Sequence, residues 1–158
     1  MENYMNLEIA AHSENEGFAR SAVAAFALCL GPSLSELSDI KTAVSEAVTN
    51  CIVHGYAKKE KGGIWIACTA KKTENGGALH IKITDCGCGI EDVEQAMQPF
   101  YTTLAGEERS GMGFTIMQTF CDEFSLESEK GKGTTVCMTK RIAGETQIAG
   151  EKDGVHAG

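Results

Sequence analysis

The sequence predicts an α+β fold: a two-layer sandwich in which helices cover one face of a mostly antiparallel sheet. Helix-like and strand-like segments are grouped along the chain, and short glycine-containing turns join the strands into hairpins. With 158 residues, 42% of them hydrophobic, the chain is long enough for one domain with a buried core. Together these features predict one sheet with one helical layer.

The first part of the chain predicts one strand followed by two helices. Apolar residues alternate from Met5 to Ala11, as in a half-buried strand. Acidic and capping residues then begin a helix that ends at Gly31. Ser33 or Ser35 is expected to cap a second, longer helix that reaches about His54.

The later part predicts two hairpins. Strands at Ile64–Ala70 and Leu79–Asp85 flank Asn75-Gly76-Gly77, which is a hairpin signal. A last hairpin joins Glu123–Ser128 to Thr134–Lys140. These four strands, with the first one, form the predicted sheet.

Between the hairpins the sequence predicts two short helices, near Glu91–Met97 and over Phe114–Cys121. They are separated by an aperiodic stretch, Pro99–Ser110, whose length inside a compact domain indicates a lid. The expected organisation is one domain over residues 1–142 and a flexible tail over residues 143–158.

Composition limits the possible functions. There are 14 Lys and Arg against 22 Asp and Glu, a net charge of −8, which argues against a nucleic-acid surface. The 7 cysteines are an odd number without the spacing of a disulfide framework, so a reducing cytoplasm is expected. The chain shows no signal peptide and no apolar run long enough to span a membrane.

Asp85 is the last residue on the apolar face of the predicted strand. The alternating apolar residues of Leu79–Ile83 should face the core, and Asp85 has the same parity. A buried carboxylate is costly unless a polar group meets it. Gly87 and Gly89 follow, so the segment is either a strand end with a tight turn or a site where a planar ligand donates an amino hydrogen to Asp85.

The long helix carries a polar ridge. Glu46, Asn50 and His54 recur at every fourth position beside Thr49. Such a ridge is usually a solvated helix face. The same residue types can instead hold a hydrated Mg²⁺ and position a nucleophile.

Two further segments suit a phosphate ligand. Gly111 and Gly113 lead directly into a helix, whose N-terminus favours anions, and Arg109 precedes them at the end of the predicted lid. Thr134 follows a glycine-rich turn. It either begins a strand or adds a hydroxyl to a pocket wall.

In this order and at these separations, the segments resemble the motifs of the GHKL (Bergerat-fold) ATP-binding superfamily. Glu46–Asn50 with His54-Gly55 looks like its N box, and Asp85–Ile90 looks like its first glycine box. Gly111–Phe114 looks like the second glycine box and Gly131–Thr135 like the last. The resemblance implies ATP and Mg²⁺ as cofactors and a flexible ATP lid.

Within that superfamily, Ser13–Arg20, Ser45–Asn50 and Glu108–Met117 resemble the sporulation anti-sigma kinases. That family implies two activities: phosphorylation of a serine on an anti-anti-sigma factor, and inhibition of a sigma factor of the sigma F type. Family members act as homodimers, without nucleic acid or membrane. The sequence departs from the pattern at the two cysteines of the first glycine box, and at Leu104, where a basic residue is expected.

The resemblance also implies roles for single residues. Glu46 would be the general base, Asn50 the Mg²⁺ ligand and Asp85 the acceptor for the adenine amino group. The helix from Phe114 would face the phosphates, and Thr134 would line the adenine side. Arg109 would approach the γ-phosphate or the partner, and Arg20 would contact the partner. The backbone would approach the nucleotide at four glycines: Gly87, Gly89, Gly111 and Gly113.

Four alternatives remain open. The ATPase half of a two-component histidine kinase needs a phosphoacceptor histidine followed by an acidic residue, and none of the 4 histidines is followed by one. A binding-only ATP-dependent antagonist would not require a base at Glu46. A general-stress antagonist of the sigma B type is a rival within the family. A zinc site at Cys86 and Cys88 lacks a second ligand pair in the sequence.

Overall fold

The computed structural model describes residues 2–57, 61–98 and 113–143. Its elements are β1 (Glu2–Ala10), α1 (Asn15–Ala27), α2 (Leu34–Asn50), β2 (Gly63–Thr73), β3 (Gly76–Asp85), α3 (Val93–Ala96), α4 (Gly113–Phe120), β4 (Glu123–Glu129) and β5 (Gly133–Ala143). The predicted α+β class is confirmed, and every predicted element within the described residues is present.

The five strands form one sheet in the order β1-β2-β3-β5-β4, with antiparallel pairing between all neighbours. β3 is the central strand. Its last residue, Asp85, lies opposite Ile64 of β2 and Thr134 of β5. The central strand therefore delivers Asp85 to the sheet edge where the predicted glycine boxes meet.

The hairpins are longer than their sequence patterns predicted. β2 and β3 continue to a two-residue turn at Glu74 and Asn75, and Gly76 takes a φ of 123° immediately after it. At the end of β5, Ala143 still pairs with Gly76. The Ala143 N–H also donates to Glu36 Oε1 at 3.0 Å, which anchors the strand end to α2.

Helix α2 begins at a complete capping box. Ser33 Oγ accepts the Glu36 N–H at 3.1 Å, and Glu36 Oε2 accepts the Ser33 N–H at 2.8 Å. This reciprocal pair identifies Ser33, rather than Ser35, as the cap. At its other end α2 continues into one turn of π-helix, Cys51–Gly55, and π-turns occur frequently at functional sites.

The core lies between the helices and one face of the sheet. The largest side chains that are almost completely buried come from α2, from the three central strands and from α4: Ile40, Ile64, Ile66, Leu79, Ile81, Ile83, Met117 and Met138. The side of α2 that carries Glu46 and Asn50 is only partly buried. Packing of the apolar stripe of α2 on the sheet therefore leaves its polar ridge accessible.

The predicted lid, Pro99–Ser110, and the predicted tail beyond residue 143 lie outside the described residues. No helix in the described part of the chain is long and apolar enough to cross a membrane.

Candidate nucleotide and metal site

The polar ridge of α2 meets the start of α4. A Cβ built on Gly113 would lie 3.0 Å from the Asn50 amide nitrogen and 3.1 Å from its oxygen. It would lie 3.4 Å from Glu46 Oε2. The first described turn of α4, which carries the partial positive charge of a helix N-terminus, therefore lies directly against a carboxylate and an amide.

Asp85 is buried at the end of β3, with 4% of its surface exposed, and is the only charged residue in the buried class among the described residues. The Gly87 N–H donates to Asp85 Oδ1 at 2.9 Å. Gly55, at the end of the π-turn, packs on the carboxyl group: a Cβ built there would lie 3.0 Å from Cγ and from both oxygens. Backbone from two segments thus encloses the carboxylate, and a side chain at position 55 would crowd it.

The first glycine box is hydrogen-bonded to, and closely packed against, the π-turn that follows α2. The Cys88 N–H donates to the Gly55 carbonyl at 2.7 Å, and Cys88 Sγ donates to the His54 carbonyl at 3.2 Å. A Cβ on Gly87 would overlap the Gly55 carbonyl group. Gly87 is therefore required by this close approach of two backbones.

The turn between β4 and β5 supports the other side of the box. The Gly131 N–H donates to the Cys88 carbonyl at 2.6 Å, and the Ile90 N–H donates to Ser128 Oγ at 2.7 Å. Ser128 Oγ also lies 2.8 Å from Thr134 Oγ1. Thr134 thus lies opposite Asp85 in the sheet, and its hydroxyl is within hydrogen-bond distance of Ser128 in β4.

Tyr56 joins the π-turn to the same region. Its hydroxyl donates to the Gly63 carbonyl at 2.6 Å and accepts the Cys86 N–H at 2.9 Å. The ring is buried, with 4% of its surface exposed. This bridge fixes the start of the glycine box relative to the first residue of β2.

The seven cysteines differ in exposure, and three of them, Cys29, Cys88 and Cys121, are intermediate. Cys51 and Cys68 are buried, whereas Cys86 and Cys137 are exposed. Burial, followed by the charge of Asp85 and a hydrogen bond to its side chain, raises the pKa of the Cys51 thiol well above its ordinary value. Burial alone raises the pKa of Cys68 to about 12.

These environments predict an order of thiol labelling. With a maleimide at neutral pH, Cys86 and Cys137 should react at least about tenfold faster than Cys51 and Cys68, because the buried thiols are both inaccessible and protonated. Timed quenching and peptide mapping by mass spectrometry would measure the four rates, and urea-unfolded protein is the control in which the rates should converge. Labelling of Cys51 in the folded protein as fast as Cys137 would contradict its burial beside Asp85.

A shallow groove beside the α2 ridge contains the predicted partner residue. Its lining residues are Arg20, Ser38, Lys41, Thr42, Ser45 and Glu46. Arg20 forms an ion pair with Glu16 at 3.0 Å, and Glu16 also accepts a hydrogen bond from the Ser45 hydroxyl. Two cations, Arg20 and Lys41, therefore line the same groove as Glu46.

The structure brings together most of the predicted site residues that it describes. One group consists of Glu46, Asn50 and Gly113. A second group consists of Asp85, Gly87 and Thr134. Gly89 also approaches the Glu129 carbonyl in this second region. Phe114 packs beside Phe124, with ring centroids 6.2 Å apart. Arg109 and Gly111 lie outside the described residues.

Two residues near the site were not predicted, Cys51 and Tyr56, and Gly55 was predicted only as part of the N box, without a role. They lie in or directly after the π-turn, which a helical pattern alone does not reveal. The zinc alternative finds no support, because the described residues contain no group of three or more His, Cys, Asp or Glu able to hold a metal ion.

Comparison with known proteins defines the class first. Residues 9–140 match the family model of the histidine kinase-like ATPase domain. The RsbU and RsbW domains of a Mycobacterium tuberculosis protein superpose with a TM-score of 0.64 at 21% identity, covering 89% of this chain and 33% of that one. At that identity the structural likeness speaks for the fold alone.

Sequence relatives narrow the class. The chain is 55% identical over 143 residues to a protein of Thermoanaerobacter sp. (strain X514) named anti-sigma F factor, covering 90% of this chain and 96% of the relative. A Clostridium botulinum (strain Eklund 17B / Type B) protein of the same name is 55% identical over 141 residues, covering 89% and 96%. The chain belongs to the anti-sigma F factor family, within the histidine kinase-like ATPase domains.

Proposed function

We propose that this protein is an anti-sigma factor of the sigma F type and an ATP-dependent protein serine kinase. It binds and inhibits a sporulation sigma factor, and it phosphorylates a serine of an anti-anti-sigma factor with Mg²⁺ and ATP. The kinase domain comprises residues 1–142, and the protein works in the cytoplasm as a homodimer.

The observation that carries the kinase proposal is the contact region of Glu46, Asn50 and Gly113. A carboxylate and an amide one helical turn apart face the start of a helix, which favours anionic phosphate. The Asn50 oxygen suits Mg²⁺, which takes oxygen ligands and keeps several waters. Binding alone would not require the Glu46 carboxylate at this place.

The surroundings of Asp85 favour an adenine nucleotide as the ligand. A buried carboxylate at a strand end is unfavourable unless hydrogen-bond donors meet it, and an adenine amino group is such a donor. Gly87 and Gly89 let the backbone of the first glycine box pack against the Gly55 and Glu129 carbonyls, so this side of the proposed pocket is formed by backbone. The donor and acceptor set of the described residues therefore fits ATP.

In the proposed reaction Asn50 would hold Mg²⁺, and Glu46 would take the proton of the serine hydroxyl as its oxygen bonds to the γ-phosphorus and ADP leaves. ATP with its metal supplies the transferable phosphoryl group and the neutralisation of its charge. Gly113 and the helix from Phe114 would face the phosphates, and Thr134 would line the adenine side. From the resemblance alone, Gly111 would give backbone access to the phosphates, and Arg109 would contact the γ-phosphate or the partner.

The groove supports a role for Arg20 in partner contact. It is an exposed cation beside Glu46, so a protein segment bound there would lie close to the proposed base. The acidic net charge of −8 also suits a basic sigma factor through electrostatic complementarity. The relatives' name favours a sigma F partner over the sigma B alternative.

A direct test mixes the purified protein with Mg²⁺, ATP and an anti-anti-sigma protein encoded in the same genome. Mass spectrometry should detect one added phosphate, located on a serine of the acceptor. A wild-type protein that binds ATP and the sigma factor yet transfers no phosphate to any acceptor would support the binding-only antagonist instead.

Asp85→Asn should lower ATP affinity about tenfold or more. The amide keeps the shape and can still accept the Gly87 N–H, but it presents a donor to the adenine amino group, and a mismatched buried polar pair costs about 1–3 kcal/mol. Isothermal titration calorimetry measures the change. Asp39→Asn is the matched control, because Asp39 pairs with Lys140 at 2.9 Å away from the glycine boxes. Equal ATP binding by Asp85→Asn and wild type would refute the pocket assignment.

A further inference from the structure

Ser128, near the end of β4, has one hydroxyl group within hydrogen-bond distance of three partners. Its Oγ accepts the Ile90 N–H at 2.7 Å, and it lies 3.0 Å from the Gly133 carbonyl oxygen and 2.8 Å from Thr134 Oγ1. The sequence patterns identified this residue only as the end of a strand. In the structure it joins the end of the first glycine box, at Ile90, to the last glycine box.

Ser128 belongs to a row of polar side chains that leads to Asp85. Thr134 pairs with Ser128 on one side and with Asp85 on the other. Such directly opposite residues have Cβ atoms about 4.5–5.5 Å apart on the same face of a sheet. This face carries the core, because Met138 and Leu126 have the same parity and belong to it or pack against it. Thr134 therefore lies between Ser128 and the proposed acceptor for the adenine amino group.

The single hydrogen of the Ser128 hydroxyl decides what Thr134 can offer to a ligand. The Ile90 N–H can only donate and the Gly133 carbonyl can only accept, whereas either hydroxyl can donate to the other. If Ser128 donates to Gly133, Thr134 must donate to Ser128, and its oxygen then offers a ligand only lone pairs. If Ser128 donates to Thr134, the Thr134 hydrogen is available to a ligand.

An adenine base requires the second arrangement. The two ring nitrogens on either side of its amino group, N1 and N7, are both acceptors. When the amino group donates to Asp85, a neighbouring hydroxyl must therefore donate to the base. The hydrogen bonds then run in one direction, from the Ile90 N–H through Ser128 and Thr134 to the base, and bonds in such a chain strengthen one another.

We propose that Ser128 is a positioning residue that orients the Thr134 hydroxyl as a hydrogen-bond donor to an adenine ring nitrogen. It acts through Thr134 and does not itself contact the nucleotide. This inference rests on the proposed nucleotide site. It adds that recognition of the base depends on the edge strand β4 as well as on Asp85.

The experiment compares three ligands: ATP, 1-deaza-ATP and 7-deaza-ATP, the last two having a C–H group in place of one ring nitrogen. Calorimetry gives the dissociation constants for wild type, Ser128→Ala, Ser128→Thr, Thr134→Val and the Ser128→Ala/Thr134→Val double variant, and thermal unfolding reports stability. Ser125→Ala is the matched control, because Ser125 lies in the same strand but is exposed on the opposite face of the sheet.

Wild type should bind one of the two deaza analogues about fivefold more weakly than ATP, which is the usual contribution of one neutral hydrogen bond. Ser128→Ala should reduce this preference to about twofold or less. Ser128→Thr keeps the hydroxyl and should keep the preference, and Ser125→Ala should match wild type. Thr134→Val should also lose the preference, and adding Ser128→Ala to it should change the preference no further, because the two residues act as one unit.

An unchanged preference in Ser128→Ala would overturn the inference, even if all three ligands bind more weakly, because Ser128 would then only anchor Ile90. Equal binding of ATP and both analogues by wild type would also overturn it and would leave the proposed function in place. Failure of wild type to bind ATP would instead overturn the proposed function. If Ser128→Ala does not fold, Ser128→Cys decides, because a thiol is a weaker donor than a hydroxyl: a preference equal to that of wild type would contradict the proposal.

Discussion

Glu46→Gln is expected to slow phosphoryl transfer to the acceptor serine by about 10²–10⁴-fold, the usual contribution of a general base. The amide keeps the size of the side chain and its contact with the start of α4, but it cannot take the hydroxyl proton. Binding of Mg²⁺, ATP and the sigma factor should stay close to wild type. Single-turnover transfer, followed by phosphate incorporation with time, measures the effect.

Glu36→Gln is the matched control for that experiment. Glu36 lies on the same helix, in the capping box at its far end, and glutamine can also serve in a capping box. Transfer by this variant should remain near wild type. Transfer by Glu46→Gln at the wild-type rate would remove Glu46 from the mechanism, whereas equal loss of ATP binding would assign it to ligand binding rather than to proton transfer.

Gly87→Ala is expected to cost about 3 kcal/mol or more in the free energy of unfolding and to abolish ATP binding. The added Cβ would overlap the Gly55 carbonyl group, so either the glycine box or the end of α2 must move. Both segments enclose Asp85. Urea unfolding measures the loss of stability, and calorimetry measures the loss of binding.

Gly131→Ala separates this backbone overlap from simple conformational strain. Gly131 has a φ of 83°, but a Cβ there would meet nothing within 4 Å. We expect a cost of about 1–2 kcal/mol from the left-handed backbone alone. A Gly87→Ala variant as stable as Gly131→Ala would show that the two backbones are not in close contact.

Much of the fold was predictable because strand and helix periods are local. Alternation in β3 predicted that Asp85 is buried, and the structure leaves 4% of it exposed. The capping residues predicted the start of α2 but left two serines possible. Only the Glu36 side chain, which bonds back to Ser33, separates them.

The strand ends were less predictable than the strands. β2 and β5 extend past their apolar patterns because each continues pairing with β3, and cross-strand hydrogen bonds do not depend on residue type. The turn lies at Glu74 and Asn75, so both glycines of the Asn75-Gly76-Gly77 hairpin signal belong to β3 rather than to the turn. The second glycine instead approaches Lys71 and Leu30, where a Cβ would not fit.

The candidate site was also predictable only in part. The spacing of Glu46 and Asn50 places them on one helix face, since residues four apart are neighbours on any α-helix. That Gly113 meets them was inferred only through family resemblance. The contact depends on how α4 packs against α2, a long-range arrangement that one local pattern does not encode.

The sequence by itself determined the element types, the polar ridge of α2 and the burial of Asp85, because each follows from a period of two or about four residues along the chain. Tertiary structure alone decided that Gly55 packs against that carboxylate and that Gly87 meets the Gly55 carbonyl. These contacts join segments distant in sequence through a π-turn and a close approach of two backbones. Their geometry exists only once the end of α2 is packed against the edge of the sheet.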